Sequence, residues 1–189
     1  PPAPSGAALM PAGLSASSYD MLRACPYRFF ALQQLGLRTE GELDVDIDKR
    51  DWGNWVHATL GHFHVALKAD PAADRLALME ATREGGLDVD EGEFLPFSVA
   101  WTGLRDAYLD WLTQYEATGA TFESAETALK AQPGGLQLFG RLDRIDRLPG
   151  GAPMLIDYKT ERVDRSKARV AAGNEDTQLP FYALLSTRS

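Results

Sequence analysis

Two carboxylates and a lysine late in the chain are placed so that they could do chemistry together. The stretch 140–160 reads G-R-L-D-R-I-D-R-L-P-G-G-A-P-M-L-I-D-Y-K-T. Pro149-Gly150-Gly151 is a turn signal, so one strand ends near Asp146 and a second returns from Met154 to Lys159. Alternate side chains of a strand share a face. Asp157 and Lys159 therefore point one way and Tyr158 the other, and Asp143 on the partner strand can join the first face. Two carboxylates converging beside one lysine suit a hard divalent cation next to a charged, reacting group. A surface ion pair on a hairpin is the plainer alternative. The apolar run Met154-Leu155-Ile156 weighs against it, because a buried strand should not end in Asp and Lys without a reason. Asp146 falls on the opposite face from Asp143 and is expected to pair with Arg144 or Arg147.

The elements that must position this hairpin are mostly helical. Leu14-Ser15-Ala16-Ser17 opens the fold, with Ser15 or Ser17 as helix cap. That helix carries Tyr19, Leu22, Phe29 and Leu32, and Cys25-Pro26 either kinks it or divides it in two. The acidic stretch 38–48 reads as a loop. A second helix, from about Asp51 to Lys68, has a core stripe of Trp52, Val56, Leu60, Phe63 and Leu67. His57 lies beside that stripe. His57 and His64 are two turns apart, roughly 10 Å by helix rise, too far to share one metal. His62 and His64 are read as surface or hydrogen-bonded residues.

A third helix starts at Asp70-Pro71 and ends at Gly85-Gly86, and 87–96 reads as an acidic loop. A fourth, about Pro96 to Thr118, holds Phe97, Trp101, Tyr108, Trp111 and Tyr115 at core spacing and stops at Gly119. The period then changes. Thr121 to Ala131 is a first strand carrying Glu126, Leu136 to Asp146 a second and Met154 to Lys159 a third, together a meander. Val163 to Thr177 is a loop or short helix. Gln178 to Thr187 is a closing helix with Gln178 and Tyr182 four apart on one face.

Composition bounds the function. The chain has 189 residues, 44% of them hydrophobic, enough for one domain with a real core. Its net charge is −8, not that of an obvious nucleic-acid binder. From Arg141 to Arg169, however, eight basic residues stand among five acidic ones, so the basic excess surrounds the hairpin. Cys25 is the single cysteine, which excludes an internal disulfide and suits a reducing compartment, expected to be the cytoplasm of a bacterium. There is no signal peptide pattern, no membrane-length apolar run and no G-x-x-x-x-G-K phosphate loop. Residues 1–13 read as a flexible lead-in, 14–189 as one domain with a helical part (14–119) and a sheet with its closing helix (120–189). Both ends suggest a piece cut from a longer protein.

Asp143, Asp157 and Lys159, with His57 as a further ligand from a helix over the sheet, suit metal-assisted hydrolysis of a phosphodiester. Arg141, Arg162, Arg165, Lys167 and Arg169 would hold backbone phosphates.

The order of these motifs resembles the PD-(D/E)XK nuclease superfamily, in particular its RecB-like exonuclease branch with the AddB carboxy-terminal domain. The likeness is carried by Gly140-Arg141-Leu142-Asp143-Arg144-Ile145-Asp146 followed by Ile156-Asp157-Tyr158-Lys159-Thr160. Leu14-Ser15-Ala16-Ser17 with Cys25-Pro26-Tyr27-Arg28-Phe29-Phe30, Gly53-x-x-x-His57, Glu126, and Gln178-Leu179-Pro180-x-Tyr182 agree with it. The resemblance covers about 14–185. It implies a restriction-endonuclease-like α/β core, a mixed sheet flanked by helices, behind a helical amino-terminal region. It implies Mg2+ or Mn2+ on His57, Asp143, Asp157 and the Tyr158 carbonyl, Lys159 as the catalytic lysine, and Gln178 and Tyr182 steadying the site and touching DNA. DNA is the implied substrate and a helicase the implied partner. Some relatives carry an iron–sulfur cluster on four cysteines. One cysteine cannot build it, so either the protein is cluster-free with Cys25 as a small buried residue, which is the favoured expectation, or the other cluster cysteines belong to a segment outside this sequence. A strand expected after the closing helix is missing or very short. The alternative from another class is a silent nuclease-fold module that binds DNA or a helicase without cutting, although both Asp157 and Lys159 are retained.

Overall fold

Ser15 caps helix α1 (Ala16–Ala24), its hydroxyl accepting from the Ser18 amide at 3.2 Å. The computed structural model describes residues 9, 11–37, 49–84, 91–171 and 177–187. Just before Ser15, Gly13–Leu14 forms a two-residue strand, β1, so regular structure starts inside the expected lead-in. Cys25 breaks the first helix from α2 (Pro26–Phe29), which runs on through a π-helical turn, Phe30–Gln34. Cys25 is exposed, not buried as expected, because it caps α2: its Sγ accepts from the Arg28 amide at 3.4 Å. The expected loop at 38–48 lies outside the described residues.

Helices α3 (Lys49–Ala69), α4 (Arg75–Glu84) and α5 (Glu91–Glu116) follow. Helix α4 starts later than Asp70-Pro71, after a turn, with the Asp74 carboxylate accepting from the Ala77 amide at 2.7 Å. Helix α5 starts before Pro96, so 91–96, expected as loop, is helical, while 85–90 lies outside the described residues. Strands β2 (Thr121–Ala131), β3 (Gln137–Arg147) and β4 (Pro153–Ile156) come next, then α6 (Val163–Ala171) and α7 (Gln178–Thr187).

The sheet is mixed, not a simple meander. Strand β3 is its hub: it pairs in parallel with β1, antiparallel with β4, and lies between β1 and β2. Two residues carry no alternation, which is why β1 leaves no trace in the sequence pattern. The β3–β4 turn closes through Leu148 and Ala152, with Gly150 and Gly151 at φ 95° and 87°, a region open to glycine. Strand β4 is shorter and more exposed than its apolar run suggests: Met154 is exposed and Leu155 and Ile156 are half-buried.

By contacts the chain forms two compact units. One comprises Pro1–Asp44, Ala128–Arg141 and Val163–Ser189. Its core includes Leu14, Phe29, Leu138, Phe181, Tyr182 and Leu185, with α1 packed on α7. A Cβ on Gly140 would lie 2.7 Å from the Tyr182 ring, so only glycine lets α7 lie this close to β3. The other comprises Val45–Thr127 and Leu142–Arg162. Its core joins Val56, Leu60, Phe63 and Leu67 of α3 to Met79 of α4 and Trp101 and Leu112 of α5. Trp55 and Trp101 meet edge to face at 4.8 Å, which adds directionality to this apolar contact.

Candidate metal centre

Helix α3 presents Gly53, His57, Gly61 and His64 at steps of four, four and three, all on one face. The two glycines let that face approach closely. A Cβ on Gly53 would sit 3.2 Å from Thr160 Oγ1, and one on Gly61 would sit 3.2 Å from Glu126 Cγ. His57 thereby reaches Asp143, Nδ1 to Oδ1 at 3.3 Å. One ligand atom each from His57, Glu126 and Asp143 lie within 4.8 Å of one another. Glu126 has a φ of 50°, rare for a residue other than glycine, and this local twist of β2 re-aims its side chain.

The hairpin supplies the rest. Its register pairs Arg144 with Ile156, the last residue of β4, so Asp157, Tyr158 and Lys159, expected within the strand, follow it outside regular structure. The Tyr158 amide donates to Asp143 Oδ2 at 2.7 Å, leaving Oδ1 turned to the histidine. Lys159 Nζ lies 2.5 Å from Asp157 Oδ2. The Asp143 hydrogen bond, opposed by burial, raises the His57 pKa above its ordinary value. Burial raises the Asp157 pKa, and the charge of Asp143 adds to it while Lys159 opposes. An imidazole nitrogen with hard carboxylate oxygens is a donor set that fits a small divalent cation.

A sequence model of the PD-(D/E)XK nuclease superfamily matches residues 13–189. The chain belongs to the PD-(D/E)XK nuclease superfamily. No curated protein matches it. Proteins of the PD-(D/E)XK superfamily are in general nucleases that use divalent metals, and the mixed sheet with its helices is the architecture that the superfamily implies.

Of the site residues read from the sequence of this PD-(D/E)XK protein, His57, Asp143, Asp157, Tyr158 and Lys159 meet in the second unit. Glu126 joins His57 and Asp143. Its superfamily likeness hinted at this, but the positive φ that turns it inward has no sequence signal. Gln178 and Tyr182 lie in the other unit, where Gln178 Nε2 donates to the Tyr182 hydroxyl at 3.4 Å. There they line a cavity of about 550 Å³ with Ser15, Ser17, Lys130 and Arg141. Arg141, Arg162, Arg165 and Lys167 are exposed, and the side chain of Arg169 is outside the described residues. Arg144 is closed to phosphate by burial, whereas Arg147 is exposed but ion-paired. Arg144 is buried on Asp146, and Arg147 Nε lies 2.5 Å from Glu123 Oε2. No helix among the described residues is long and apolar enough to cross a membrane.

Proposed function

We propose that the chain is a divalent-metal-dependent deoxyribonuclease, the nuclease module of a RecB/AddB-like helicase–nuclease system for DNA repair or recombination. The observation that carries this reading is the convergence of His57, Glu126 and Asp143 within 4.8 Å, in the same unit as the Asp157–Lys159 pair. In it His57, Asp143, Asp157 and the Tyr158 carbonyl would hold Mg2+ or Mn2+, with Glu126 as an added carboxylate. A divalent cation bound there lowers the pKa of water and neutralises charge on the phosphoryl oxygens.

The chain's own groups do the rest. Asp157 holds the Lys159 ammonium at 2.5 Å, where it can stabilise negative charge developing on the phosphate. The Tyr158 amide keeps Asp143 from rotating, so its free oxygen stays with His57. Gln178 and Tyr182, in the other unit, touch DNA, and Arg141, Arg162, Arg165, Lys167 and Arg169 take the backbone phosphates. A protein of net charge −8 is suited to a helicase partner that holds most of the DNA. The single cysteine suits the reducing cytoplasm of a bacterium.

The test is cleavage of single- and double-stranded DNA with Mg2+ or Mn2+, against Asp157→Ala and Lys159→Ala. The intact protein is expected to cut and both variants to lose at least about a hundredfold in rate. If the intact protein never cuts and the variants bind DNA equally well, it is a silent nuclease-fold module. If cutting survives Asp157→Ala, the assignment of the site is wrong.

A further inference from the structure

Behind the Asp157-Tyr158-Lys159 segment lies a chain of buried polar groups that metal-assisted hydrolysis does not use. Arg144, Asp146 and His64 are at most 1% exposed. Arg144 Nε and Nη2 donate to the two carboxylate oxygens of Asp146 at 2.7 and 2.6 Å. Its Nη1 donates to His64 Nε2 at 2.7 Å and to the Tyr108 hydroxyl at 3.0 Å. That hydroxyl lies 2.5 Å from His64 Nε2 and 2.8 Å from the hydroxyl of Tyr158. Trp111, Tyr115 and Phe122 enclose the guanidinium with ring centres 5.7–5.8 Å from Cζ. Burial and the Arg144 charge lower the His64 pKa to about 2, so the imidazole is neutral; because a guanidinium nitrogen can only donate, Nε2 is the nitrogen that accepts.

A buried ion pair is a weak source of stability, because desolvation offsets the attraction. What it does supply is geometry. The fork of Asp146 fixes the guanidinium plane, the guanidinium and His64 fix the Tyr108 hydroxyl, and that hydroxyl holds the Tyr158 ring. Tyr158 is held at its other end too, through the amide on Asp143 Oδ2 at 2.7 Å. A residue tied at both backbone and ring sets the directions of its two neighbours, and here these are Asp157 and Lys159.

We propose that Arg144, with Asp146, His64 and Tyr108, is a positioning assembly that grips Tyr158 by its hydroxyl and thereby sets Asp157 and Lys159 for phosphodiester cleavage. The catalytic half of this statement rests on the nuclease reading above; the gripping half does not. Arg144 touches no reacting atom and acts through Tyr158. A displacement of about 1 Å in a catalytic group can cost on the order of a hundredfold in rate, so loss of a single hydroxyl should be visible in turnover.

Tyr158→Phe removes that hydroxyl and leaves Tyr108 bonded to His64 and Arg144. Tyr108→Phe breaks the same link from the other side. Two readouts on the intact chain are needed: amide hydrogen exchange by NMR without metal, and cleavage of a DNA oligonucleotide with Mn2+. Both variants should exchange the Tyr158 amide at least about tenfold faster, while Leu60 and Phe63 in α3 keep their protection. Both should lose about tenfold in kcat with KM for DNA unchanged, and the double variant should lose no more than either single one. Wild-type exchange at Tyr158 with wild-type kcat in both variants overturns the proposal. So does a loss of protection spread evenly over α3 with a matching fall in Tm, which marks a packing role alone. If the wild-type protein never cleaves while Tyr158 exchange still accelerates, the nuclease reading falls and the gripping assembly stands.

Discussion

His57 and His64, seven residues apart on one helix, show how far burial and neighbours separate two residues of one type. His57 beside Asp143 has its pKa raised, and the charges of Glu126 and Asp157 push it the same way. His64, walled by Phe122 and facing Arg144, has its pKa lowered to about 2. The folded protein therefore refuses a proton on His64 that the unfolded chain accepts below pH 6.5. Its contribution to stability is full above pH 6.5 and declines as pH falls towards 2, by up to about 1.4 kcal/mol per pH unit. Urea unfolding at pH 7.5 and 5.0 should show the loss, and His64→Gln should remove this component. Equal pH slopes in the two proteins would show that His64 is protonated inside the fold. Asp143 has two distinct oxygens for a similar local reason: one accepts from the Tyr158 amide and the other faces His57.

At the scale of elements, helix α3 decides what can meet. Its core stripe turns inward on α4 and α5, and the face with Gly53 and Gly61 closes on the hairpin and β2. Gly61 sits in a helix interior, where glycine costs about 1 kcal/mol relative to alanine, so a reason for it is expected. The reason is Glu126, whose Cγ would lie 3.2 Å from an added Cβ. Gly61→Ala should keep or slightly raise the metal-free Tm through helix propensity. It should weaken Mn2+ binding several-fold, read by calorimetry, because Glu126 must give way. Unchanged Mn2+ affinity would remove Glu126 from the metal centre. Strand β3 complements the helix. Over residues 142–147 it carries Asp143, Arg144 and Asp146, and the segment just after β4 is tied to it through the Tyr158 amide on Asp143.

The whole molecule carries net charge −8, and the candidate metal site of His57, Glu126 and Asp143 places two of its acids together in one unit. Like charges held together without a cation destabilise the folded state, and an ion that binds only the folded form stabilises it. Mn2+ at a hundred times its Kd should add about 2.7 kcal/mol to unfolding stability, with a corresponding rise in Tm. Asp143→Asn should abolish most of that rise. A Tm indifferent to millimolar Mg2+ and Mn2+ would count against the metal centre and the function built on it. The basic residues of the stretch 162–167 are exposed, whereas Arg144 and Arg147 are consumed by acidic partners.

Much of this protein was legible from residue types and spacing. Period three to four marked α3, a weak alternation marked β2, and glycine-rich turns bounded β3, because those signals are local. The hairpin around a recognisable turn and the pairing of Asp146 with Arg144 were anticipated, although the second strand stops at Ile156, before Asp157 and Lys159. Contacts between distant segments were not legible. The two-residue strand β1 is too short to have a period. Glu126 turns towards His57 through a positive φ that no residue type announces. Nothing in the spacing of Arg144 says that it is 1% exposed, because His64, Tyr108 and Asp146 come together around it from separate elements. Sequence alone determined which residues could form a metal-dependent site. Tertiary structure decided which of them face one another, because burial and hydrogen-bond partners are set by packing between segments far apart in the chain.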